Sequence, residues 1–177
     1  MQKESEKGWT ERIVITDVTR MRWDHICVAG LNRNLECRRP FLRDRPVTAD
    51  LLFREGKQMV ALRHVLEISF FEKASVPPHT EDCICLPACM KLVKVLNEKE
   101  MRRVLGRSCF NSVEQLFESR LVDDKYVQPG SGTRSIGTIR ARIFKADPAD
   151  HRISFVDETG KSYFSRKVTD FSFISCA

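Results

Sequence analysis

A chain of 177 residues is long enough for one domain, or for two very small ones sharing a core, and 42% apolar against 31% charged residues marks a soluble, globular protein. No apolar run nears the roughly 18 residues that cross a bilayer, and the charged stretch Met1–Lys7 has no apolar core of the kind a secretory signal needs, so neither a membrane span nor export is expected. Seven cysteines, an odd count without the spacing of a disulfide scaffold, fit a reducing, cytoplasmic setting, and a net charge of +6 leaves a polyanion among the partners to consider.

Residues 1–10 are polar and are expected to be a flexible N-terminus, with Trp9 able to pin its end. The β-branched run Arg12–Val18, broken by Asp17, predicts a first strand. Ile26–Gly30 predicts a second, Leu31–Asn34 a tight reversal, and Leu35–Arg39 a returning strand stopped by Pro40. Residues 40–58 hold one apolar cluster, Leu51-Leu52-Phe53, and are expected to be loop with a short helical turn at most. Met59–Phe71, where Leu66, Ile68 and Phe70 alternate with Glu67 and Ser69, predicts a half-buried strand leading into the turn Pro77-Pro78-His79-Thr80-Glu81-Asp82.

Beyond Asp82 a helical period replaces the alternation. Asn97 with Glu100 forms a capping box and Gly106 a helix end, and Ser112 with Gln115 caps a second short helix through Leu121. A glycine-rich loop, Pro129–Ser135, precedes a return to β pattern at Ile136. Strands are expected at Arg152–Asp157 and Lys161–Arg166, joined by Glu158-Thr159-Gly160, and at Val168–Ile174 with Phe171 and Phe173 on one face. Short strands in two clusters around a helical insert predict a mainly β, α+β protein built of small barrels rather than a doubly wound sheet.

The segments Val14–Met21, Cys27-Val28-Ala29-Gly30, Arg39-Pro40, Pro78-His79-Thr80-Glu81-Asp82 and Gly132-Thr133-Arg134-Ser135-Ile136-Gly137, in that order, resemble the bacterial dual OB-containing domain family over residues 12–174. Cys83 departs from the family pattern, which has a bulky aromatic there. The resemblance implies two small OB-like β-barrels packed together and a role in binding nucleic acid or nucleotides, possible beside prokaryotic defence or conflict-system effectors. With it the chain divides into a first OB-like half at 11–76, a segment of proline turn, helical insert and glycine-rich loop at 77–133, and a second barrel half at 134–177.

Several residue groups carry candidate chemistry. His79, Glu81 and Asp82, with Asp17 as a distant partner, have the donors for acid–base work or metal-assisted phosphodiester hydrolysis; the alternative is that they satisfy the backbone of the turn. His79, Cys83, Cys85 and Cys89 are zinc-type ligands, but the run lacks the C-x2–4-C knuckle of structural sites. Gly132, Arg134 and Ser135 belong to a loop with the makings of an anion cradle, without the lysine of a P-loop. Arg38 and Arg39, near Arg33, Arg43 and Arg45, are the best backbone-binding candidates, with Trp23 and Phe41 as stacking faces; a solvated, aggregation-blocking edge is the plain alternative. Nothing assembles a nucleophilic enzyme, and no cofactor is expected. The function expected is a non-enzymatic module for single-stranded nucleic acid or nucleotide phosphates, contacting them through Arg38, Arg39 and Arg134. A docking subunit for a partner protein encoded nearby and a metal-dependent hydrolase are the alternatives.

Overall fold

In a computed structural model, which describes residues 8–170, the chain is mainly β with two short α-helices. The N-terminal β-branched run is strand β1 (Trp9–Arg20), longer at both ends than its apolar centre. Ile13 and Ile15 are fully buried, and then the parity changes so that Val18 is the next buried residue. The pairing explains the change. Against β2 (Ile26–Leu31), Ile15 faces Gly30 and Asp17 faces Ala29, so Thr16 is one extra residue and the bulge turns the strand over.

The reversal after β2 is organised by Asn32, whose side-chain oxygen accepts the backbone N–H groups of Asn34 and Glu36 at 2.9 and 3.0 Å. Strand β3 (Cys37–Leu42) follows and, contrary to expectation, continues through Pro40. Arg39 donates its N–H to Glu81 O, which points the nitrogen of Pro40 to the opposite edge, where pairing with β2 has already ended at Arg38. The missing donor therefore costs no ladder bond. Residues 43–63 hold a 3-10 turn (Ala49–Leu52), the short helical turn the sequence allows, and, beyond it, a two-rung hairpin, β4 (Phe53–Arg54) with β5 (Lys57–Gln58), while Met59–Arg63, expected to open the next strand, stay outside it.

Strand β6 (His64–Lys73) is the alternating segment. The largest departure comes next, where a 14-residue strand, β7 (Asp82–Val95), occupies the stretch read as the approach to a helix. It pairs in parallel with β3 and antiparallel with β6, while β6 pairs with β1, so the order β1-β2-β3-β7-β6 closes on itself. The first β unit therefore runs to Val95 and not to 76. Between the rungs Ile68↔Met90 and Phe70↔Cys85 the ladder with β6 is interrupted, and Pro87 falls in that interruption. Arg54 donates to the loosened carbonyls of Pro87 and Met90 at 2.7 and 3.1 Å. The ring encloses a core of Ile13, Ile15, Val28, Leu66, Ile68, Phe70, Cys83 and Cys85.

Helix α1 (Glu98–Ser108) begins at the Asn97–Glu100 capping box and runs through Gly106 to Ser108. Strand β8 (Cys109–Phe110) leads to helix α2 (Val113–Phe117), capped by Ser112, and pairs in parallel with β9 (Thr138–Ile139). The C-terminal strands β10 (Ala141–Asp147), β11 (Arg152–Asp157) and β12 (Ser162–Lys167) form an antiparallel meander. Its second turn carries Gly160 at φ 85° and is tied by Asp157, which accepts from Thr159 and Lys161. Asp170 bridges Thr19 of β1; Phe171 and Phe173 of the strand expected at Val168–Ile174 lie outside the described residues, as do residues 1–7 of the N-terminus. No helix among the described residues is long and apolar enough to cross a membrane.

Candidate functional site

Three segments far apart in the chain meet beside the parallel β3–β7 contact. The Pro77–Asp82 turn is closed by the His79 N–H on Val76 O at 2.7 Å and held to the glycine-rich loop by Gly130 N–H on Pro77 O at 3.1 Å. Glu81, 3% exposed, receives the Ser135 backbone N–H at 3.3 Å to each oxygen and the Ser135 hydroxyl in a very short bond. A hydroxyl has one proton, and here it goes to Glu81. His79 Nδ1, 2.9 Å from Ser135 Oγ, must then be the donor of that pair. Ser135 is thus not activated by His79 as a nucleophile would be. Thr80 donates to the Thr133 carbonyl, completing the seam. Gly132, at φ 78°, permits it, because a Cβ would come within 2.8 Å of Val127 Cγ1.

Arg38 and Arg39 are neighbours in a strand and therefore point to opposite sides. Arg39 makes a two-pronged pair with Asp82, with Nη2 2.8 Å from Oδ2, and both side chains are largely buried. Burial works against its charge, but the Asp82 carboxylate outweighs burial and holds the guanidinium protonated. Arg39 is therefore part of the scaffold rather than an open phosphate contact. Arg38 pairs with Glu11 at 2.9 Å and Glu36 at 2.6 Å, and Asn32 donates to both carboxylates. The Asn32 hydrogen bond and the Arg38 charge hold Glu36 below its usual range.

Behind the Arg39–Asp82 pair lie Asp17 and two thiols. Burial raises the Asp17 carboxyl above its ordinary 3.8, against a hydrogen bond from Thr16 at 2.6 Å, and the Asp170 charge raises it further. Burial pushes the Cys37 thiol up to about 12, with Glu81 and Asp17 adding to the shift, and raises Cys27 as well. A folded-state pKa above the unfolded one means that Asp17 favours folding below pH 3.8 and opposes it once pH rises through the shifted value. Asp17→Asn is thus expected to raise the urea midpoint at pH 7 and to give no gain below pH 3.8; a midpoint that falls at pH 7 would show that the ionised carboxylate holds the fold.

The sequence candidates separate. His79, Glu81 and Ser135 are joined, while Asp82 is turned to Arg39 and Asp17 to Thr16, so the five residues do not converge on one acid–base centre. The zinc-type run does not gather either. Cys83 and Cys85, two apart in β7, both point into the core, where burial pushes their thiols up to about 11 and about 12, and His79 is exposed on the turn. Thiols so far from ionisation are packing groups and poor ligands. Among the described residues no three His, Cys, Asp or Glu side chains are grouped to hold a metal. Trp23 is 85% exposed at the β1–β2 turn with φ 60°, and Phe41 is exposed on β3.

Next to the seam is a cleft of about 440 Å³, walled by Arg38 of β3, Thr80 and Glu81 of the proline turn, Arg107, Ser108 and Phe110 from the end of α1 and β8, and Thr133, Arg134 and Thr138 from the glycine-rich loop and β9. Neither Trp23 nor Phe41 lines it. Arg134 lies over the Phe110 ring, 4.7 Å from its centroid, and its Nη2 is 3.2 Å from Glu118. Arg107 has no ion pair among the described residues and sits in the last turn of α1. Sequence reasoning missed Arg107 and Phe110; the signal was a basic residue in a last helical turn followed by Ser108. A second sizeable cavity, about 520 Å³, lies between the start of β1 and the Asn32 reversal and is lined by Trp9, Glu11, Arg12, Asn32 and Arg33; a smaller one, about 80 Å³ under the β4–β5 hairpin, is lined by apolar side chains and Arg54. No family model matches the chain, and no curated protein or solved structure does so either.

Proposed function

We propose that this protein is a non-enzymatic binding module for single-stranded nucleic acid or nucleotide phosphates, with the five-stranded ring as an OB-like barrel and the β10–β12 meander as the core of a second. The observation that carries it is the convergence of three segments singled out in the sequence, Arg38-Arg39, Pro77–Asp82 and Gly132–Gly137, on one cleft that also holds Arg107 and Arg134. Its two carboxylates are already satisfied, Glu81 by Ser135 and Glu36 by Asn32 and Arg38. The cations that can meet an incoming phosphate are Arg107, without an ion pair among the described residues, and Arg134, whose part-exposed pair with Glu118 a phosphate would exchange for its own, with the hydroxyls of Ser108, Thr133 and Thr138 as further donors. The His79 donor arrangement and the absence of an activated hydroxyl at Ser135 favour binding over hydrolysis.

Fluorescence anisotropy with labelled single-stranded DNA, single-stranded RNA and duplex, each at several salt concentrations, tests it. Arg107→Gln with Arg134→Gln is expected to weaken single-strand binding and to lower the magnitude of the log–log salt slope by about 1.4, since each phosphate contact on a single strand contributes about 0.7. A salt slope equal to that of the unaltered protein overturns the assignment of the cleft. Absence of binding to all three probes overturns the module altogether and favours a docking subunit.

A further inference from the structure

We propose that one face of the β10–β12 sheet is a base-stacking platform, with Phe144 and Phe164 receiving the bases of a single strand and the surrounding cations its phosphates. The proposal rests on the binding module above and identifies its ligand as a polynucleotide rather than a free nucleotide. Cross-strand register separates the two faces. Ile143 faces Phe155 and Phe155 faces Tyr163, which is 2% exposed and stacked on Phe155 at 5.0 Å, so this row is one face of the sheet, closed over at Tyr163 and open at Ile143, which is 57% exposed. The opposite face carries Arg142, Lys145, Arg152 and Lys167, by their pairings with Val156, Ser154, Asp147 and Arg152.

Two irregularities shape that face. The register shifts between Ile143 and Lys145 on β10, and again across β11 and β12, where Ser165 takes φ 53°. Each shift places a phenylalanine opposite Ser154, a small buried residue whose hydroxyl accepts the Ser165 N–H at 3.0 Å. Over it Phe144 and Phe164 meet edge to face, centroids 5.8 Å apart and planes at 71°, although a whole strand lies between theirs. They remain 50% and 65% exposed. A closed aromatic pair in the core would hide its faces, whereas here ring faces are open to a planar ligand.

Charge decides which ligand. Four cations stand on this face against one carboxylate, Asp147, which accepts the Asp150 N–H at 3.2 Å. Among the described residues none of the four is ion-paired, and Arg152 donates only to the Ser165 carbonyl at 2.6 Å. Unpaired cations around exposed aromatic rings match a chain that alternates phosphates with planar bases. A duplex offers the phosphates but keeps its base faces inside the stack, so the single strand is the occupant.

The test uses a labelled 12-mer of deoxythymidine and the variant Phe144→Leu with Phe164→Leu, which keeps apolar bulk and removes the rings. Because both side chains are exposed, the melting temperature is expected to hold, while affinity falls about tenfold and the salt slope stays constant, since stacking and not phosphate contact is lost. The Arg142→Gln, Lys145→Gln variant is expected to do the reverse to the slope, lowering it by about 1.4. Photocrosslinking of the unaltered protein to a 5-iodouracil oligonucleotide is expected to label the peptides that contain Phe144 or Phe164. A leucine variant that binds as tightly as the unaltered protein, or crosslinks confined to other peptides, overturns the platform and leaves the module standing. Unaltered protein that binds no oligonucleotide overturns both.

Discussion

Asp82→Ala is expected to destabilise the protein by about 3–5 kcal/mol, read as a fall in the urea unfolding midpoint at pH 7. The size follows from what is left behind. Arg39 and Asp82 retain only 17% and 12% of their side-chain exposure, and removing the carboxylate strands a guanidinium beside the Cys27 thiol, with only the weaker influence of the Glu81 charge left to act on it. The pair also sits at the first rung of the only parallel contact in the ring, Arg39↔Asp82, where β7 enters. Losing it weakens the seam between β3 and β7 as well as exposing a desolvation cost. Replacing both members, Arg39→Met with Asp82→Leu, is expected to recover most of the loss, because no unpaired charge remains. The double variant is also expected to bind oligonucleotide as the unaltered protein does, which separates Arg39 from Arg107 and Arg134. An Asp82→Ala midpoint within about 0.5 kcal/mol of the starting value would refute the scaffold role.

Much of this arrangement is legible in the residues, and the failures have physical causes. The helix starts at Asn97 and Ser112 are local, decided by side chains within a few residues: Asn97 and Glu100 close a full capping box, while Ser112 accepts the Gln115 N–H and the Gln115 side chain reaches back to Asn111 instead. Strand β1 is legible because β-branched residues dominate it, but the flip at Thr16 is not, since a bulge is set by the partner strand. Strand β7 is hidden by Pro87 and by an interrupted ladder that spoils the alternation; what makes it a strand is pairing with β3 and β6, both distant in sequence. At the site, the motifs could be named but not their division of labour. Even so, one signal was present, since adjacent residues of a strand face opposite ways and Arg38 with Arg39 cannot serve one surface. The same logic sends Cys83 and Cys85 together into the core. Phe144 was invisible because the register shift between Ile143 and Lys145 that turns it out is set by the pairing with β11 and not by the residues of β10.

Gly30→Ala is expected to cost about 3 kcal/mol, at the upper end for overpacking, because the added methyl has nowhere to go. A Cβ on Gly30 would stand 2.4 Å from Val14 O and 2.9 Å from Val14 C, both backbone atoms of β1 in a ladder that cannot yield without breaking rungs. The consequence extends to the cleft. Gly30 pairs with Arg38 on its other side, so pushing β1 and β2 apart shifts the strand that carries Arg38 and its contacts to Glu11 and Glu36. Oligonucleotide affinity is therefore expected to fall even at temperatures where the variant stays folded. The same substitution at Gly106 makes the internal control. In α1 a Cβ there meets nothing within 4 Å, and alanine in a helix interior is favoured over glycine, so Gly106→Ala is expected to stabilise by about 0.5–1 kcal/mol. Opposite signs at the two glycines follow if β1 and β2 approach as closely as the bulged register requires; no loss at Gly30 would mean that β2 does not run against Val14, and a loss at Gly106 would mean that its site in α1 is not open.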